Sequence, residues 1–196
     1  MSFFNRESNE QFDAPTTAVE DISGDYTIDP THTRIGFSAR HAMVTTVRGQ
    51  FKEFAGTAHV DAANPENSRV NLTVQTASID TGVADRDAHL KSADFFSADE
   101  NKEITFSSTK VERDGEDWVV TGDLTINGVT KSVTVPFEFT GSAQDPFGNL
   151  RIGFEGGATI NRKDYGVTWN AALETGGVLV SDKVKLEFDV SAIRNA

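Results

Sequence analysis

Arg86, Asp87, His89 and Lys91 share one short segment within residues 78–97, where titratable groups of both signs crowd together. A guanidinium grips a phosphate with two parallel N–H bonds, and an ammonium adds a mobile point charge. Arg86, His89 and Lys91 are therefore the first candidates for holding the head group of a ligand. At helical spacing Arg86 and Leu90 share one face and Asp87 and Lys91 another. That phase turns Arg86 and its apolar neighbour inward and lets Asp87 pair with Lys91. The same mixture also reads as a solvated face laced with weak ion pairs, in which Arg86 and Asp87 only tie the segment to a scaffold. Arg40, His41 and Arg162, the last beside Lys163, lie at strand ends and are alternative head-group candidates.

Enzymatic readings find less support. A hydrolase built on Asp87 and His89 has the two side chains on different sides of a helix and no nucleophile beside them. His32, His41, His59 and His89 form no His-x-x-x-His pair, and no Gly-x-Ser-x-Gly elbow, P-loop or dinucleotide fingerprint occurs. No catalytic residue, metal ligand or cofactor is assigned, and the protein is expected not to be an enzyme.

The elements around the charged segment have a period of two, which in a strand sends successive side chains to opposite faces. Ile35, Phe37 and Ala39 alternate with polar neighbours; so do Phe54, Gly56, Ala58 and Val60, and Val70, Leu72 and Val74. The alternation lapses over residues 78–97 and resumes at Ile104 and Phe106. Val120, Leu124 and Ile126 then precede Asn127-Gly128, whose residue types supply the positive φ angles of a two-residue hairpin turn. Val133, Val135, Phe137 and Phe139 follow it, with further strands over 152–160 and 184–190. Pro136 predicts an edge or bulge position. About eight strands with no helical crossovers predict an all-β, antiparallel barrel, whose interior at that size is either filled or holds one slender ligand.

With 196 residues the chain is long enough for one barrel domain over 25–196, preceded by an acidic extension over 1–24 bearing Phe3, Phe4 and Phe12. No apolar run is long enough to span a bilayer and the extension lacks the apolar stretch of a signal peptide, so the chain is expected to be cytoplasmic. A net charge of −12 repels phosphodiester backbones, which excludes a nucleic-acid partner without a local basic patch. The absence of cysteine removes disulfides and thiolate chemistry.

Four segments together carry a family resemblance: Asp29-Pro30-Thr31-His32-Thr33-Arg34 with Arg40-His41; Ser78-Ile79-Asp80-Thr81 continuing through Arg86-Asp87-Ala88-His89-Leu90-Lys91 to Phe95-Phe96; Gly122-Asp123-Leu124-Thr125-Ile126-Asn127-Gly128; and Asn161-Arg162-Lys163-Asp164-Tyr165-Gly166. In these the chain resembles the YceI family of polyisoprenoid-binding, lipocalin-like proteins. The resemblance implies an extended, eight-stranded, lipocalin-like antiparallel barrel with a short helical insertion, whose apolar interior takes a polyprenyl chain. The expected ligand is a long-chain lipid such as a polyprenyl phosphate, a prenylated quinone or a fatty-acid derivative, carried or stored without chemistry.

Such a site divides its work between an apolar tunnel that gives affinity and a few polar groups that choose the head. An eight-unit prenyl chain has about forty carbons, and a nominal gain of about 30 kcal/mol on burial exceeds what non-covalent binding reaches. Ordering of the ligand must reduce that sum, so chain length alone selects weakly. The expected tunnel walls are Phe37, Phe54, Leu72, Val74, Leu90, Phe95, Phe106, Leu124, Phe137, Phe154 and Trp169. The competing expectation is a filled barrel that binds no lipid and acts as a structural or interaction module, with homodimerisation through strand edges or the Phe-bearing extension.

Overall fold

Alternation is translated directly into burial: along Asp117–Ile126 the buried residues are Trp118, Val120, Gly122, Leu124 and Ile126, every second position. The structure is a computed structural model that describes residues 21–196, so the expectations about Phe3, Phe4 and Phe12 lie outside the described residues. It contains the strands β1 (Gly24–Ile28), β2 (Arg34–His41), β3 (Thr45–Phe51), β4 (Phe54–Val60), β5 (Arg69–Gln75) and β6 (Ile79–Asp80), followed by helix α1 (Ala84–Lys91). After it come β7 (Glu103–Asp114), β8 (Asp117–Ile126), β9 (Val129–Gln144), β10 (Leu150–Asn161) and β11 (Val180–Arg194).

Strands β1, β4, β5, β7, β8, β9, β10 and β11 form a ring that β1 and β11 close, with every neighbouring pair antiparallel. This is the eight-stranded antiparallel barrel with a short helical insertion. The first wall position is divided between two strands. Tyr26–Ile28 pair with one end of β11, at Arg194–Ala192; the chain then leaves the wall at Asp29-Pro30 and returns as β2, pairing with Asp189–Val184 further along β11. β3 pairs with β2, and the two-residue β6 with β3, so these strands form a flap beyond the ring.

The break after β1 is held from outside. Asp29, 8% exposed, accepts from Arg151 Nη1 at 2.7 Å, from Thr31 N and Oγ1 at 3.0 and 2.7 Å, and meets His32 Nδ1 at 2.8 Å. Arg151 also binds Asp145, in the β9–β10 turn, at 3.0 Å. The hydrogen bond from Arg151 holds the Asp29 carboxyl far below the usual carboxylate range. Asp145 is pushed down to about 2, first by the Asn149 backbone N–H and also by Arg151.

The interior has two apolar clusters, one towards each end. Ile22, Tyr26, Trp118, Val120 and Ile152 belong to the first; Ile35, Val74, Leu124, Ile126 and Tyr165 belong to the second, and Phe106 packs against both. At the turn that closes the second end, Asn127 and Gly128 have φ of 53° and 74°. Asn127 also accepts from Asn101 Nδ2 at 2.7 Å and donates to Tyr165 O at 3.3 Å, tying the hairpin to the insertion on one side and to residues 162–165 on the other.

Candidate ligand-binding cavity

Phenylalanine rings lie flat on the barrel wall where the neighbouring strand carries glycine. A Cβ on Gly122 would stand 2.5 Å from Phe106 Cζ, and one on Gly156 2.6 Å from Phe137 Cδ1. With no side chain beneath them, the rings follow the wall instead of filling the centre. A cavity of about 300 Å³ remains between the clusters, and its lining is almost wholly apolar. That volume lies at the lower end of the range of small-molecule sites, about 300–1,000 Å³.

The strands bring Phe37, Leu72 and Val74, then Phe106, Leu124, Phe137 and Phe154, to this cavity, and the insertion adds Leu90 and Phe95. Phe54 and Trp169 are not in the lining. Phe54 packs behind it against the second cluster. Trp169 stands beside the insertion, with ring centroids 4.7 Å from His89 and 5.3 Å from Phe95. Phe96 of the insertion also lines the cavity, as do Trp118, Ile152 and Tyr165, which were not singled out from the sequence. Trp118 was legible, since it continues the alternation of Val120, Leu124 and Ile126. Tyr165 was not, because it belongs to a non-strand segment with no periodicity to give its direction.

The polar candidates are spread over the cover of the cavity. Arg86 donates through Nε to Thr81 Oγ1 at 2.7 Å and through Nη2 to Thr81 O at 2.8 Å. Asp87 accepts from Thr81 N and Oγ1 at 2.8 and 2.6 Å, and so is turned to the loop before α1 and not to Lys91 as its helical phase predicts. His89 Nε2 pairs with Asp94 at 2.9 Å. Lys91 ends the helix, where its carbonyl accepts from Ala98 N. Arg40 and His41 end β2 on the surface, with Arg40 Nη1 3.4 Å from Val44 O.

Of the six head-group candidates, Arg86, His89, Lys91, Arg40, His41 and Arg162, the last alone reaches the cavity lining. It is 6% exposed, and its guanidinium donates to Ser181 O at 2.9 Å, Val167 O at 2.8 Å and Trp169 O at 2.9 Å. Burial pulls its pKa down, opposed by Asp182 at 3.8 Å. These bonds spread the charge over backbone dipoles and pin residues 167–181 across the end of the barrel. Among the described residues no group of three or more His, Asp or Glu is placed to hold a metal ion, and no helix is long and apolar enough to cross a membrane.

Comparison with known proteins gives a consistent picture. Residues 26–192 match the family model of the YceI-like domain. The chain is 43% identical over 148 residues to Protein YceI of Escherichia coli, covering 74% of this chain and 78% of that one. It superposes on BcnA of Burkholderia cenocepacia with a TM-score of 0.74 at 25% identity, over 84% of this chain and 98% of that one. A domain from Saccharophagus degradans described as polyisoprenoid binding shares the fold, with a TM-score of 0.60 at 15% identity over 87% and 98% of the two chains.

Proposed function

This chain belongs to the YceI-like domain family, and on that premise we propose that it binds a long-chain isoprenoid or related amphiphile in its barrel and carries or stores it without chemistry. The observation that carries this reading is the cavity itself. Strand-borne phenylalanines that would otherwise fill an eight-stranded barrel are laid against its wall, leaving an apolar space between two packed clusters. The polyisoprenoid binding described for the Saccharophagus degradans domain of the same fold agrees with it.

The energetics suit a carrier. Burying about twenty chain carbons gives nominally about 16 kcal/mol. Association and ordering cost roughly half of that, leaving about 8 kcal/mol, a micromolar Kd. Prenylated quinones, polyprenyl derivatives and fatty-acid derivatives all meet this condition. In this reading Arg86 and Asp87 hold the cover through Thr81, and Arg162 holds it through carbonyls. Asp87 is engaged by Thr81 and His89 by Asp94, so the two do not form a dyad with each other.

Native mass spectrometry followed by organic extraction tests the proposal. A bound mass matching an extracted lipid is expected. A homogeneous ligand-free mass, together with no uptake of added polyprenyl lipid, overturns it.

A further inference from the structure

β9 and β10 are paired over only part of their length. Their ladder runs from Leu150↔Gln144 to Gly156↔Phe137 and ends, although β9 begins at Val129 and β10 continues to Asn161. Pro136 stands at the parting. The turn at Asn127-Gly128 makes Ile126 and Val129 a hydrogen-bonded pair, so Thr130, Ser132, Thr134 and Pro136 turn their backbone groups away from β8. Pro136 therefore brings its missing N–H to the edge that β10 would have used. Beyond the gap, the Asn127 bond to Tyr165 O draws the two sides together again. The wall has a window with both ends closed.

A cleft of about 580 Å³ occupies this window. Val133, Ile160 and Tyr165 line both the cleft and the central cavity, so these side chains separate the lumen from the outside. The rest of the cleft is mainly polar. Ser132, Thr134, Thr159 and Asn161 border it, with one charge of each sign from Lys131 and Asp164. The backbone groups of Ser132 and Thr134 also face it without a ladder partner on β10, and such groups require water or another polar partner.

We propose that this window is a side portal, where an amphiphile threads its chain past Tyr165 into the lumen and leaves a neutral, hydrogen-bonding head seated between β9 and β10. A hydroxyl, carbonyl or amide fits the chemistry of the cleft. An anionic head meets the Asp164 carboxylate as well as Lys131, on a chain whose net charge is already −12. The portal rests on the lipid-binding reading above and adds to it the route and the seat of the head.

Because the chain has no cysteine, Thr159→Cys places a single thiol in the cleft and Glu112→Cys a control thiol on β7. Retinol, a fluorescent isoprenoid alcohol, serves as the probe, with retinoic acid as its anionic counterpart. Bound retinol is expected to slow maleimide alkylation of the thiol at 159 about tenfold and to leave that at 112 unchanged; prior alkylation at 159 with a bulky maleimide slows retinol uptake to a similar degree. Tyr165→Ala speeds uptake. Retinol binds more tightly than retinoic acid, and Asp164→Asn narrows the difference. Equal alkylation at 159 with and without bound retinol overturns the portal, and tighter binding of retinoic acid overturns the neutral head. If retinol fluorescence shows no binding at all, the lipid-binding reading itself fails, a result distinct from either.

Discussion

At one end of the barrel the lumen is stopped by strand-borne side chains, and at the other by a cover hung on polar contacts. Trp118, Ile152 and Tyr26, each in a paired strand, pack at the first end with Ile22 from the entry of the chain, while Arg151 clamps Asp29 and Asp145 outside. At the second end the cover comes from residues 76–102 and 162–180, braced within itself by Arg86 and Asp87 on Thr81 and joined to the wall by Asn101 at the β8–β9 turn and by Arg162 at Ser181 O of β11. Undoing the first requires breaking the sheet, whereas a segment held by a handful of hydrogen bonds opens by itself at lower cost. The difference assigns persistence to one end and movement to the other.

The largest effect is expected at the strand-borne end. Trp118→Ala removes a side chain that is 4% exposed and edge-on to Phe154, and should lower global stability by about 3–5 kcal/mol in urea unfolding. Next comes Arg162→Met, which leaves buried carbonyls of Val167, Trp169 and Ser181 without their donor. A loss of about 2–3 kcal/mol is expected, with faster hydrogen exchange concentrated in 167–181. If exchange rises equally through β8 and β11, the cover is not a separate unit and the contrast between the ends is lost.

Asp87→Ala should cost about 1 kcal/mol and raise hydrogen exchange around 81–91, sharpening the contrast if β7 and β8 stay protected. The Asp29 clamp is tested through its dependence on pH. Its folded-state pKa is depressed, so its contribution is fully present above the unfolded value of about 4 and is lost as pH falls through the lower folded value. Arg151→Met should flatten the loss of stability below about pH 4, read from thermal unfolding across acidic buffers. An unchanged acid profile would remove the clamp from the account of the strand-borne end.

The ring of strands was legible because one face of each strand is buried, and alternation records that face residue by residue, as in Trp118 to Ile126. Asn127-Gly128 was legible because few residue pairs tolerate two positive φ angles in succession. The break at Asp29-Pro30 was less so: β1 and β2 have the same alternation, and only their separate pairing with β11 distinguishes a divided wall from one long strand. Pro136 announced an interrupted edge, though not which neighbour departs. The helical phase of α1 placed Arg86 and Asp87 on different faces, yet both reach Thr81, because the loop before the helix folds back within range of each. Partners outside an element leave no trace in its period.

The glycines beneath the phenylalanines have a consequence for the calibre of the barrel. Gly122 and Gly156 are the recesses into which Phe106 and Phe137 are set, and each behaves as a stop on the bore. A methyl group in either recess meets the ring and also a backbone carbonyl, Ser107 O or Pro136 O at 2.6 Å, so it pushes the ring towards the axis and the neighbouring strand outwards together. The wall thus contains a gauge whose marks are single hydrogen atoms, set at two positions outside the cavity lining.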